Sequence, residues 1–119
     1  MKWTRFRFQG KECTGFLQED VLHVVKGDIY SGAWQETGET AYLRDVELLA
    51  PCLPSKIICV GLNYRDHAAE MKMELPKEPI MFMKPPSAVL APNQPIILPD
   101  WIGRIDYEAE LVVVLGKMA

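Results

Sequence analysis

Apolar and polar residues alternate along the first part of this chain and collect into solid blocks along the second. Residues 5–8, Arg-Phe-Arg-Phe, have the period of a half-buried strand, because successive side chains on an extended backbone point to opposite faces. The stretches TGFL (14–17) and VLHVV (21–25) predict a hairpin turning at Glu19 and Asp20, and KGD at 26–28 supplies the next turn. SGAWQETGET (31–40) holds Gly32 and Gly38 and reads as a loop. VELLAPCLPSK (46–56) then brings Pro51 and Pro54, which suit an extended connector better than a helix. A domain boundary falls there: residues 1–51 form a small N-terminal β-domain and residues 52–119 a second domain.

Beyond the connector, KIICVGLNYRDHAAEMKME (56–74) reads strand, turn, helix. Ile57 to Val60 are apolar and stop at Gly61. Asn63 or Asp66 is placed to cap a helix through Ala68–Lys72, which Pro76 and Pro79 end. PIMFMKPPSAVLAPNQPIILP (79–99) gives a short strand, a proline-rich turn and a second strand at Ile96–Leu98. In IDYEAELVVVLGK (105–117), the apolar run Leu111–Leu115, dense in β-branched Val, reads as a buried strand. Asp106, Glu108 and Glu110 lead it on one face, about 6.5–7 Å apart. The class expected is mainly β (α+β), with one short helix.

Composition narrows the function classes. Net charge is −3 over 119 residues with both signs intermixed, and no basic–aromatic patch argues for nucleic acid. No apolar run is long enough to span a bilayer, and MKWTRFRFQG lacks the apolar core of a secretory leader. Cys13, Cys52 and Cys59 are odd in number, far apart and without a CxxC pair. That points to a reducing, cytoplasmic setting and away from disulfides or zinc.

Two groups of residues could carry chemistry. Same-face carboxylates on a strand can converge on a hard cation such as Mg²⁺, Mn²⁺ or Ca²⁺, or can simply face water at a strand end. His67 and Glu70 are three apart, so a helix puts them on one face. There the carboxylate can orient the imidazole as a general base, or the two can make an ordinary surface contact. His23 is the alternative base, although its apolar strand pattern suits a core or edge position. Arg65 and Lys84 are either anion contacts or solvated. Cys59 reads as a small core residue.

Together, PSKIICVGLNYRDHAAEM, EPIMFMKPPSAVLAPNQPIILP and IDYEAELVVVLGK resemble, in that order, the start of the catalytic domain of the fumarylacetoacetate hydrolase family. The resemblance covers roughly residues 46–117; residues 1–45 resemble the small N-terminal β-domain of the family's two-domain members. It implies a mixed β-roll catalytic domain, usually dimeric. It also implies a Mg²⁺, Mn²⁺ or Ca²⁺ ion, and a small 2-oxo or 2,4-dioxo acid as substrate for cleavage, decarboxylation or isomerisation. By the same resemblance Glu108 and Glu110 are metal ligands, and His67 with Glu70 is the dyad that activates water or moves a proton. The family's third acidic ligand and a lysine near the substrate lie downstream of these motifs. The chain is therefore expected to be the front part of a longer enzyme; the alternative is a non-catalytic module that keeps the β scaffold.

Overall fold

The structure is a computed structural model and describes residues 1–117. The protein is mainly β, with seven strands and a single α-helix among the described residues. It divides into two compact units, Met1–Cys52 with Leu90–Ala119, and Leu53–Val89.

In the first unit β1 (Lys2–Phe8), β2 (Lys11–Gln18), β3 (Val21–Asp28), β4 (Ala33–Tyr42) and β5 (Glu47–Leu48) form one antiparallel sheet, ordered β4-β3-β2-β1-β5. Register explains its two faces. Phe6 stands opposite Cys13 and Leu48, and Leu22 opposite Leu17 and Ala41. Phe6 and Leu22 are fully buried there with Val24, packed by Phe8, Leu17, Leu43 and Val46. On the other face Trp3, Phe16 and Trp34 meet edge-on or tilted at 4.9–6.1 Å. Arg5 and Arg7 lie on that face too, paired with Glu12 at 2.9 and 3.5 Å and, for Arg7, with Glu47 at 2.7 Å. The Arg-Phe alternation thus sends its phenyl rings into the core and its cations into a charge ladder across three strands.

Two expectations for this half are corrected. SGAWQETGET is not a loop, because most of it is β4. Pairing jumps from His23–Thr40 to Val25–Glu36, leaving residues 37–39 opposite Val24 in a bulge. Gly38 takes φ +84° in that bulge, and the Thr37 hydroxyl donates to the Val24 carbonyl at 3.1 Å. The glycine that looked like a breaker lets the strand continue. Nor is KGD a turn: it ends β3, and the chain reverses at residues 29–32. Asp28 nucleates that reversal, accepting the Tyr30 N–H at 2.9 Å, while Ser31 donates to the Asp28 carbonyl and accepts from the Ala33 N–H, both at 3.2 Å.

In the second unit β6 (Ile57–Gly61) and β7 (Ile80–Lys84) pair antiparallel, with Cys59 opposite Phe82. Of the expected mixed roll, the described residues show this antiparallel pair. Between the strands runs α1 (Arg65–Glu70), anchored by Ala68, which is buried. Neither Asn63 nor Asp66 caps it; the N-cap is Tyr64, without a side-chain cap bond. Nor do the prolines end it. The Met73 N–H bonds to the Ala68 carbonyl at 2.9 Å and the Lys72 N–H to the Ala69 carbonyl at 3.0 Å, with Lys72 at φ +53°. This is a Schellman closure, reached several residues before Pro76.

The two strands expected at Ile96–Leu98 and Leu111–Leu115 do not form among the described residues, and their side chains are exposed. Apolar, β-branched composition favours extended backbone, but a strand also needs a second backbone to take its N–H and C=O groups. Neither stretch has one here. No helix among the described residues is long and apolar enough to cross a membrane.

Two measurements test this account of the first unit. A Cβ added at Gly15 would run into the His23 carbonyl oxygen and stand 3.1 Å from the Phe6 ring, whereas one at Gly61 would meet Ile80 at an ordinary 3.6–3.7 Å. Gly15→Ala should cost about 1–3 kcal/mol in urea unfolding followed by tryptophan fluorescence, and Gly61→Ala should leave that transition in place. Equal midpoints for the two variants would contradict the packing. At the turn, the Ser31 side chain and then the Tyr30 N–H hold the Asp28 carboxyl below its ordinary value. A depressed carboxyl stabilises the fold above its unfolded value of ~3.9, and that contribution disappears as pH falls through the folded value. The Tyr30 amide resonance should therefore titrate with a midpoint below the usual carboxylate range, and lose that titration in Asp28→Ala.

Candidate functional site

The helix α1 carries the first candidate pair. His67 is its third residue and Glu70 its last, one turn apart around buried Ala68. His67 Nδ1 lies 3.8 Å from Glu70 Oε2, close enough for charge to act on the ring but longer than a hydrogen bond. The imidazole is half-buried, 39% exposed, and the carboxylate open to water. A carboxylate beside Nδ1 favours the tautomer with its proton on that nitrogen and leaves Nε2 to accept another. Arg65, the first residue of α1, is exposed. Lys84 ends β7 with Nζ 6.0 Å from the centre of the Phe82 ring, immediately ahead of Pro85 and Pro86. These four residues all belong to the unit Leu53–Val89.

Glu108 and Glu110 belong to the other unit and lie exposed in irregular backbone. The expected row of three carboxylates is reduced by an arginine: Arg104 Nε and Nη2 both reach Asp106 Oδ1 at 2.9 Å. Glu108 and Glu110 are the other two carboxylates of that row. Carboxylate oxygens suit a hard cation, and both side chains are accessible to one. Two residues fall short of a full ligand set, and no group of three or more His, Cys, Asp or Glu is gathered for a metal among the described residues.

His23 is occupied otherwise. Its ring stacks on Phe16 at 4.9 Å and 3° between planes, with Nδ1 3.8 Å from Glu36 Oε2. It serves the aromatic face of the sheet. The three cysteines are free, Cys59 lies within β6, and burial pushes the Cys13 thiol up from its ordinary value, away from the reactive thiolate. Motif reading passed over one residue nearby: Leu62, between β6 and α1, has φ +51°. Backbone angles of that kind leave no trace in an apolar residue's identity.

Comparison with known proteins places the chain. Residues 56–119 match the family described as "Fumarylacetoacetate (FAA) hydrolase C-terminal", and residues 1–51 match "Rv2993c-like, N-terminal". The chain belongs to the fumarylacetoacetate hydrolase family. It is 48% identical to an uncharacterized protein of Archaeoglobus fulgidus over 79% of this chain and 40% of that protein. It is 47% identical to "Oxaloacetate tautomerase fahd2, mitochondrial" of Xenopus laevis over 61% of this chain and 23% of that protein. Among solved structures, 5-carboxymethyl-2-hydroxymuconate delta-isomerase from Mycobacterium smegmatis superimposes with a TM-score of 0.62 at 32% identity, covering 75% of this chain and 35% of that one. The chain spans 40% or less of each of these relatives.

Proposed function

We propose that this chain is the front part of a divalent-metal-dependent enzyme that moves a proton on a small 2-oxo acid. Residues 52–119 would be the first portion of its catalytic domain. The observation that carries the reading is the His67–Glu70 pair, one turn apart with Nδ1 and Oε2 at 3.8 Å. Two relatives are named for interconversions of this kind, a tautomerase and a delta-isomerase. Both are isomerisations, so proton transfer is favoured over the hydrolysis or decarboxylation that the family also performs.

In this reading Glu108 and Glu110 would hold a Mg²⁺ or Mn²⁺ ion, with Ca²⁺ a third candidate, and the ion would offset negative charge on the substrate's oxygens. The chain's own groups do the rest. Glu70 keeps the imidazole in one tautomer. His67 Nε2 takes a proton from the carbon beside the keto group and delivers it to the keto oxygen, giving the enol, which is general acid–base work. Arg65 and Lys84, both exposed cations, would meet a substrate carboxylate. The same reading includes a homodimer in the cytoplasm and no nucleic-acid or membrane partner.

A non-catalytic β module is the second reading, and the absence of a three-donor group among the described residues favours it. The two separate in solution. The isolated chain is expected to be inactive or much impaired; extended by the downstream part of the family's catalytic domain and with Mg²⁺ present, it should exchange the C3 protons of oxaloacetate for deuterium, and His67→Ala should slow that exchange by about 10²–10⁴-fold without weakening Mn²⁺ binding in calorimetry. The double variant Glu108→Ala, Glu110→Ala should lose the Mn²⁺ heat with the same thermal midpoint. Exchange that is undiminished in His67→Ala would overturn the assignment.

A further inference from the structure

We propose that Leu62 is a positioning residue, whose left-handed backbone sets the direction in which α1 leaves β6 and so holds the His67 imidazole; this rests on the reading of His67 as the proton-moving group. At φ +51° a leucine Cβ crowds the following carbonyl oxygen, and bulky residues rarely adopt such angles. The permissive residue stands one place away. Gly61 shows no such angle, and a Cβ added to it would meet Ile80 at an ordinary 3.6 Å, so neither conformation nor space requires a glycine there. The strain falls on the leucine instead.

Residues 62–64 are the whole link between β6 and α1, and Tyr64 is already extended at φ −121° and ψ 132°. No side chain caps the N-terminus, α1 has six residues, and Ala68 is its one buried side chain. At the far end Lys72, at φ +53°, is a second left-handed residue without a glycine. The helix that carries His67 and Glu70 is thus bracketed by two backbone conformations that persist only where the surroundings over-determine them. Such residues gather at sites where geometry must be held. A glycine at 62 would relieve the crowding and also let the link take other paths.

The test is the His67 ring signal in carbon-correlated proton NMR of the full 119-residue chain, compared among the unaltered protein, Leu62→Gly, Leu62→Asn and Lys72→Gly. In Leu62→Gly the helical carbon shifts of residues 66–69 should persist while the His67 ring signal splits or broadens. Leu62→Asn, which tolerates the left-handed region, should keep a single sharp signal at the original position. Lys72→Gly, which keeps the Schellman geometry, should leave the ring unchanged. A His67 signal identical in Leu62→Gly and the unaltered chain would overturn the proposal. So would loss of α1 in both Leu62 variants, since the residue would then be holding the fold rather than the ring. In oxaloacetate exchange by the chain extended with the downstream part of the catalytic domain, Leu62→Gly should lower kcat by roughly tenfold to a hundredfold with KM unchanged. Should His67→Ala leave exchange untouched, the proposed function fails while the NMR result still decides whether Leu62 positions the ring.

Discussion

A strand lasts only where a second backbone takes up its hydrogen bonds, and that requirement decides which parts of this chain are ordered as sheet. β1 to β5 satisfy one another, and their pairing puts Phe6, Leu22 and Val24 together on a dry face. β6 and β7 pair as well, yet every residue of β7 remains exposed, with Met81 and Met83 about two-thirds open. Leu111–Leu115 is the most strand-like sequence in the chain, but it has no partner among the described residues and is 50–88% exposed. The relatives matched are each more than twice as long as the portion this chain covers.

The sequence is most informative where a physical rule acts locally. The RFRF alternation, the reversal at Glu19 and Asp20, and the stop of β6 at Gly61 all follow from period or from turn chemistry within a few residues. β4 was hidden because its glycine serves a bulge, and a bulge is specified by the partner strand rather than by the strand itself. The end of α1 was hidden for a similar reason. A lysine, not a glycine, occupies the left-handed closing position, so the nearest visible stop was Pro76. The apolar runs at Ile96–Leu98 and Leu111–Leu115 failed as strands because pairing depends on residues remote in sequence.

The candidate site divides in the same way. The His67–Glu70 spacing is a helix rule, and α1 brings the two side chains to 3.8 Å. Glu108 and Glu110 were read from strand alternation, and the backbone that would enforce it is irregular here. What the structure adds is chemical sorting: Arg104 takes Asp106, and His23 is engaged with Phe16 and Glu36. His67, Glu70, Glu108 and Glu110 are the residues that the family resemblance singles out, and the ones to question in solution.

The proposed function depends on whether Glu108 and Glu110 bind a divalent cation. Paramagnetic broadening by Mn²⁺ tests it most directly, because the effect falls steeply with distance from the ion. Titrated into the isotope-labelled chain, Mn²⁺ should selectively erase the amide signals of residues 108–110, at concentrations that spare Glu36, Glu39 and Glu47. Broadening spread evenly over exposed acidic residues would contradict it.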